Sequence, residues 1–231
     1  MFGRYGKVPH TMTGMSYDIA HMLAGLLVLL SFLMLYQVRL VPLLNVLAAH
    51  AFVLALSVAW QANIQHAPHL YITAAIALVF KAIIVPVALR RIVVRMGIHR
   101  EIETVVSVGL TMLAGMALVA LSLEVMLPLT AKAEPLVRED LALALSVVLI
   151  GLLMMVTRRN AVSQVVGFMS LENGINLAAT GAKGMPLVVE ISVAFSVLIA
   201  LIVIGIFLFR IRERFDTVDV GVMDEFRGGR Q

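Results

Sequence analysis

The feature that most constrains this chain is a series of seven long apolar runs separated by short polar connections. A helix needs about 20 mostly apolar residues to cross a bilayer. The runs occupy residues 17–37, 41–63, 69–89, 103–127, 140–156, 161–181 and 187–209. They lack the alternation of membrane strands and leave no room for a soluble domain between them. We therefore predict an all-α polytopic membrane bundle of about seven transmembrane helices.

Composition supports this class and excludes several kinds of chemistry. Of the 231 residues, 61% are hydrophobic and 14% are charged, against about 45–50% and about 25% in soluble domains. The chain has no cysteine, which excludes disulfides, thiolate metal sites and iron–sulfur ligation. No phosphate-binding loop, dinucleotide fingerprint or nucleophile elbow is present. We expect no catalytic residue, no cofactor, no metal and no nucleic-acid partner for this chain itself.

The basic residues fall unevenly on the two sides of the predicted bundle. Five lie on the side of the N-terminus: Arg4, Lys7, Lys132, Arg138 and Lys183. Twelve lie on the opposite side: Arg39, Arg90, Arg91, Arg95, Arg100, Arg158, Arg159, Arg210, Arg212, Arg214, Arg227 and Arg230. Basic loops stay in the cytoplasm, so we expect the N-terminus outside and the C-terminus in the cytoplasm.

Glu172 is the strongest candidate for a functional residue. It lies eleven residues after Ala161, or about 16 Å along a helix and near mid-membrane. A charge at that depth is costly and marks a functional site by default. Asn173 and Asn176 are close enough to hydrogen-bond its carboxyl, which would then take up and release a proton. The alternative is a neutral glutamate that only joins helices.

Lys81 and His50 are the other deep titratable side chains. Lys81 lies nine residues, about 14 Å, before Arg90, so we expect a carboxylate partner or a water-filled gap. Pro86 frees a backbone carbonyl near Ala82, and a locally open helix suits proton transfer. His50 has an ordinary pKa near 6.5 that also suits proton transfer. The alternatives are a fixed ion pair for Lys81 and a satisfied core histidine for His50.

Two further carboxylates support this hypothesis less directly. Glu124 and Glu190 lie near the outer ends of the fourth and seventh predicted helices. They would line an exit to the outside, or simply reach the water among the headgroups. Because His50 is the one histidine predicted to lie deep in the membrane, a haem held by two histidines is not expected.

Two stretches carry a resemblance to a known family. Residues 157–160 (Thr-Arg-Arg-Asn) and 170–177 (Ser-Leu-Glu-Asn-Gly-Ile-Asn-Leu) place a basic turn before a helix with a central glutamate. Together with Asp219 and residues 225–228, this half resembles the K-type small subunit of respiratory complex I. With residues 78–82 and 184–190 included, the whole chain resembles the hydrogenase-4 component E family, a membrane subunit of group 4 nickel–iron hydrogenases and formate hydrogenlyase-type complexes.

This resemblance implies a non-catalytic membrane-arm subunit in a bacterial inner membrane. The nickel–iron centre and iron–sulfur clusters would belong to partner subunits, with antiporter-like, quinone-site-type and hydrogenase peripheral-arm subunits as neighbours. Glu172 corresponds to the central glutamate of the K-type subunit. The second buried glutamate of that family is missing, because residues 191–209 contain no carboxylate. We interpret Lys81 or His50 as a substitute.

The resemblance also divides the chain into residues 1–139, an N-terminal four-helix segment, and residues 140–231, a K-type three-helix segment with a cytoplasmic tail. Proton or other ion translocation coupled to electron transfer is the expected function. The alternatives are a subunit of a multicomponent cation/proton antiporter and a purely structural membrane anchor for larger subunits.

Overall fold

The computed structural model describes residues 10–95, 102, 104–131, 135–181, 198, 199 and 202. These residues form helices and no strand, apart from an isolated antiparallel bridge between Thr104 and Arg158. The elements are α1 (His10–Tyr36), α2 (Leu40–Ile64), α3 (His69–Ile76), a π-helical segment (Ala77–Ile84), α4 (Val85–Arg95), α5 (Val108–Leu129), α6 (Pro135–Thr157) and α7 (Ala161–Gly181).

Five of the described helices are long and apolar enough to cross a bilayer, which indicates a membrane protein. They are Met15–Tyr36, Leu40–Ile64, His69–Val94, Val108–Leu129 and Glu139–Thr157. The prediction of an all-α bundle is confirmed for the described residues. The count of seven spans and the orientation remain predictions. α7, which is the sixth predicted span, is described but is not among these five helices, and most of the seventh predicted span, residues 187–209, lies outside the described residues.

The fourth predicted helix begins later than its hydropathy indicated. The sequence predicts a start near residue 103, but α5 begins at Val108. The reason is tertiary: Val105 donates its backbone N–H to the carbonyl of Thr157, at 2.9 Å, instead of joining a helix. Ser107 then caps α5, and its hydroxyl accepts from the backbone N–H of Leu110, as is usual at a helix start.

The third span is not a uniform α-helix. α3, the π-helical segment and α4 follow one another without a break, and Pro86 lies just after the π-helical residues. Proline lacks a backbone N–H and clashes with the preceding turn, which favours a local change in hydrogen bonding. π-Helical turns are rare and often occur at functional sites. Here the wide turn contains Lys81.

α6 and α7 are held at unusually close range by glycine. A Cβ atom built on Gly174 would lie 2.8 Å from the backbone nitrogen of Val148, and one built on Gly151 would lie 2.6 Å from that of Leu171. Small residues let membrane helices approach in this way. Gly167, Gly174 and Gly181 recur every seven residues on α7, so one face of α7 is committed to α6.

The opposite face of α7 is polar and is covered by other helices. α2 packs against α1, α3, the π-helical segment and α7, while α1 also packs against α6. α5 contacts mainly α6 and exposes most of its apolar side chains. The polar face of α7 therefore packs against α2, and the side chain of Lys81 reaches it from the π-helical segment. The candidate site lies in this space.

Candidate functional site

A buried ion pair between Lys81 and Glu172 forms the centre of the site. The Nζ of Lys81 lies 3.0 Å from the Oε1 of Glu172, and the two side chains are 4% and 5% exposed. Glu172 is eleven residues from the start of α7 and nine from its end, so about 14–16 Å of helix lies on either side. The pair therefore lies near the middle of the bundle, where the sequence placed both residues.

Asn173 connects this ion pair to α2. Its Oδ1 accepts a hydrogen bond from the Nζ of Lys81 at 3.1 Å, and its Nδ2 lies 3.0 Å from the Nδ1 of His50. Because the amide nitrogen donates, the Nδ1 of His50 must accept, which puts the proton of a neutral imidazole on Nε2. Asn173 and His50 are both fully enclosed, with exposed fractions of 1% or less.

The network ends on α1. The Nε2 of His50 lies 3.1 Å from the hydroxyl oxygen of Ser31, and that hydroxyl donates to the carbonyl of Leu27 at 2.9 Å. All donors therefore point the same way, from Lys81 through Asn173, His50 and Ser31 to a backbone carbonyl. Four packed elements, α7, the π-helical segment, α2 and α1, contribute to one continuous hydrogen-bonded chain.

This arrangement separates titratable groups from positioning groups. Lys81 and Glu172 face each other directly, and each can bind or release one proton. Asn173 lies between Lys81 and His50, and an amide donates and accepts hydrogen bonds without readily changing its protonation. Asn173 therefore orients Lys81 and His50 and does not itself pass protons. The role of His50 in proton transfer remains a prediction.

The other predicted supporting residues do not join the ion pair in the described part of the chain. Asn176 is buried one turn after Glu172, but its Oδ1 has no hydrogen-bond partner among the described residues. Glu124 is exposed on α5, whose main neighbour is α6. Glu190 lies outside the described residues.

A second polar cluster lies at the end of the bundle that contains the start of α1 and α6. The Nδ1 of His21 is 2.9 Å from the Oδ1 of Asp140, and its Nε2 is 3.3 Å from the Oε2 of Glu139. The Nε2 of Gln61 lies 3.5 Å from the Oδ2 of Asp140. Sequence reasoning missed this cluster. The one available signal was that His21 and Asp140 belong to helix ends on the same side of the predicted bundle.

Amides extend the second cluster to α7. Gln65 donates to the side-chain oxygen of Gln61 at 3.2 Å and to the backbone carbonyl of Thr180 at 2.7 Å. The hydroxyl of Thr180 in turn donates to the carbonyl of Asn176 at 2.9 Å. Since Asn176 lies halfway between Thr180 and Glu172 along α7, polar groups occur at each turn between the two clusters.

The opposite end of the bundle is fastened by Arg158. Its Nη2 donates to the carbonyl of Leu35, at the C-terminal end of α1, at 2.5 Å. Burial lowers the pKa of this guanidinium, but an arginine begins from so high a value that it stays charged. A cation at a helix C-terminus is favourable. Arg158 is thus a buried helix cap, whereas the neighbouring Arg159 is exposed.

Neither cluster has the geometry of a metal site. Among the described residues, no group of three or more histidine, cysteine, aspartate or glutamate side chains is arranged to hold a metal ion. In the second cluster, the two nitrogens of His21 face different carboxylates, so each contact is a hydrogen bond between protein groups.

Comparison with known proteins gives one extended match. No protein-family model and no solved structure matches the chain. The uncharacterized protein Rv0085 of Mycobacterium tuberculosis (strain ATCC 25618 / H37Rv) is 32% identical over 209 residues, which cover 88% of this chain and 94% of that protein. Because the similarity extends over most of both proteins, the chain belongs to the same family as Rv0085.

Proposed function

We propose that the chain is a non-catalytic subunit of a complex I-related membrane-bound nickel–iron hydrogenase, in which the Lys81–Glu172 pair takes up and releases protons inside the membrane. The observation that carries this proposal is the direct contact of two oppositely charged side chains at mid-bundle, 3.0 Å apart and nearly free of exposure. The hydrogenase context follows from the sequence resemblance described above.

The cost of burying this pair supports a functional role. Two ions removed from water lose several kcal/mol of hydration each, about as much as their attraction restores. Two apolar side chains of similar size would fill the same space at equal or lower free energy. Stability alone therefore does not explain the pair, whereas a proton carrier requires a titratable group at this depth.

Contact between the two charges also couples the protonation of one side chain to that of the other. A proton added to Glu172 removes the negative charge that stabilises the Lys81 ammonium, and a proton lost from Lys81 removes the charge that stabilises the carboxylate. The π-helical turn that contains Lys81 offers a backbone that rearranges more readily than a regular α-helix. Movement of one proton would therefore shift the position or the charge of the partner.

The proposal also includes the membrane topology of the chain and its partner subunits. Seven spans, an N-terminus outside and a C-terminus in the cytoplasm of a bacterial inner membrane agree with the distribution of basic residues. The nickel–iron centre and the iron–sulfur clusters would be held by partner subunits. Antiporter-like and quinone-site-type subunits would surround this chain in the membrane arm.

The deciding experiment is the Glu172→Gln substitution in the assembled complex, with proton translocation measured in inverted membrane vesicles. We expect the rate of proton translocation to fall by about 10²-fold or more, the range typical of a lost proton-transfer group. The control is Arg159→Gln, which introduces the same amide at an exposed charged residue outside the site and should leave translocation unchanged.

The same vesicles separate the proposal from a purely structural role. An anchor would lose assembled complex in the Glu172→Gln variant while each remaining complex translocates normally. Normal translocation by fully assembled Glu172→Gln complex would refute the proton-carrying role. Transport that depends on sodium, in membranes that contain no hydrogenase subunit, would instead identify a cation/proton antiporter.

A further inference from the structure

We propose that His21, Glu139 and Asp140 form a second proton-binding site, through which protons pass between the water at the outer end of the bundle and the interior. This inference rests on the proposed function, because it gives the buried ion pair a connection to one aqueous side. It is carried by a different set of residues on α1 and α6.

Exposure changes sharply across the three side chains. Glu139 is 59% exposed, His21 is 28% exposed and Asp140 is 3% exposed. His21 lies between the carboxylates, with one ring nitrogen facing each of them. An imidazole accepts a proton on one nitrogen while it releases a proton from the other. The cluster therefore connects a water-facing carboxylate to an enclosed one through a group suited to transfer.

The charges of the cluster favour a proton as its ligand. Two carboxylates face a single imidazole, and no lysine or arginine pairs with them among the side chains that the structure describes. Asp18, one turn before His21 on α1, is exposed and adds a further carboxylate. The neighbouring parts of α2 and α7 contribute Gln61, Gln65 and Thr180, which are neutral. Bound protons would neutralise the negative charge that the carboxylates bring to this cluster.

The transfer step conserves the proton. A proton on the Oε2 of Glu139 passes to the Nε2 of His21, and the proton on Nδ1 leaves to the Oδ1 of Asp140. Glu139 becomes a carboxylate, Asp140 becomes a neutral carboxyl and the imidazole changes tautomer. Once Asp140 has passed its proton inward, the ring returns to its first tautomer when water takes the proton from Nε2 and supplies one to Nδ1.

The position of Asp140 places it on the way to Glu172. A Cβ atom built on Gly181 would lie 3.7 Å from the Cβ of Asp140, so the two residues are at the same level of the bundle. Glu172 lies nine residues earlier on α7, about 14 Å along the helix axis. Thr180 and the buried Asn176 lie in that interval, so polar groups occur along the distance that a proton must cover.

The test uses the full chain in lipid nanodiscs and infrared difference spectra between neutral and alkaline pH. We expect a carbonyl-stretch band from a protonated carboxyl that Asp140→Asn removes and that Glu172→Gln and the control Glu124→Gln retain. His21→Asn should shift the frequency of the band, because a hydrogen-bond partner of the carboxyl is lost. A band that persists unchanged in Asp140→Asn overturns the proposal.

Proton translocation by the assembled complex provides the second measurement. Asp140→Asn should lower the rate by about 10²-fold, and Asp140→Glu should restore part of it. If the Asp140→Asn variant fails to accumulate, Glu139→Gln is tested instead, because its exposed side chain tolerates substitution. Slower proton uptake in that variant supports the site, and unchanged uptake refutes it. Loss of translocation in Glu172→Gln together with normal translocation in Asp140→Asn would refute this second site and leave the proposed function unaffected. Normal translocation in Glu172→Gln, with the infrared band of Asp140 present, would refute the proposed function and leave the second proton-binding site standing.

Discussion

The Lys81–Glu172 pair allows a quantitative test of why two charges are kept inside the bundle. The perturbation is a double-mutant cycle that replaces Lys81 by Met, Glu172 by Leu, and both together. Two unit charges 3.0 Å apart attract by about 5.5 kcal/mol at an effective dielectric constant of about 20. Hydration lost on burial offsets most of this attraction, so the net contribution of the pair to stability is expected to be small.

The single and double variants should therefore behave very differently. Either single substitution leaves one buried charge without its ionic partner and should lower the free energy of unfolding by about 3–5 kcal/mol. The double variant removes both charges and should be within about 1 kcal/mol of the parent or more stable. Proton translocation should nevertheless be lost in all three variants, because each lacks a titratable group.

The chain carries its own reporter for this measurement. Trp60 is the single tryptophan, and its ring nitrogen donates to the backbone carbonyl of Ser16 at 2.9 Å, joining α2 to α1. Its fluorescence during denaturation in mixed micelles follows separation of these helices. A double variant that is as unstable as the single variants would refute the electrostatic reasoning. A stable double variant with normal translocation would refute the functional interpretation of the pair.

Two further predictions concern the framework around the site. Gly174→Ala should lower the free energy of unfolding by about 1–3 kcal/mol through overpacking, because the new Cβ would meet the backbone of α6. The control Gly25→Ala, with nothing within 4 Å of the new Cβ, should raise the free energy of unfolding by about 0.5–1 kcal/mol. Equal effects of the two substitutions on thermal unfolding would contradict the close approach of α6 and α7. Arg158→Met should cost about 1.5–3 kcal/mol through loss of a charged hydrogen bond, whereas the exposed Arg159→Met should change stability by less than about 0.5 kcal/mol; similar unfolding temperatures for the two variants would show that the buried cap contributes nothing.

The sequence was sufficient to identify the class of fold and the centre of the candidate site. Apolar runs of transmembrane length predict helices directly, since a bilayer leaves the backbone few other ways to satisfy its hydrogen bonds. The cost of burying Glu172 and Lys81 likewise predicts that each needs a partner. Both residues were located by depth alone, counted along their helices from the nearest polar end.

Which groups pair with which was decided only by tertiary structure. Lys81 and Glu172 are separated by about ninety residues of chain, and nothing in their local sequence determines the rotation of one helix about its axis relative to another. That rotation follows from the glycine face of α7 against α6, which turns Glu172 and Asn173 toward α2 and the π-helical segment. It also sets Asn173 between Lys81 and His50, where proximity in sequence had suggested a contact with Glu172.

The second cluster shows the same division. His21 and Asp140 are more than a hundred residues apart and are ordinary side chains for helix ends near the membrane surface. They meet because α1 packs against α6, an adjacency that hydropathy does not encode. Local sequence thus determined the helices, their approximate lengths and the depth of the ionisable groups. Packing between helices far apart in the chain decided which of these groups are in contact, because direct contact between side chains depends on how each helix is turned and where it lies.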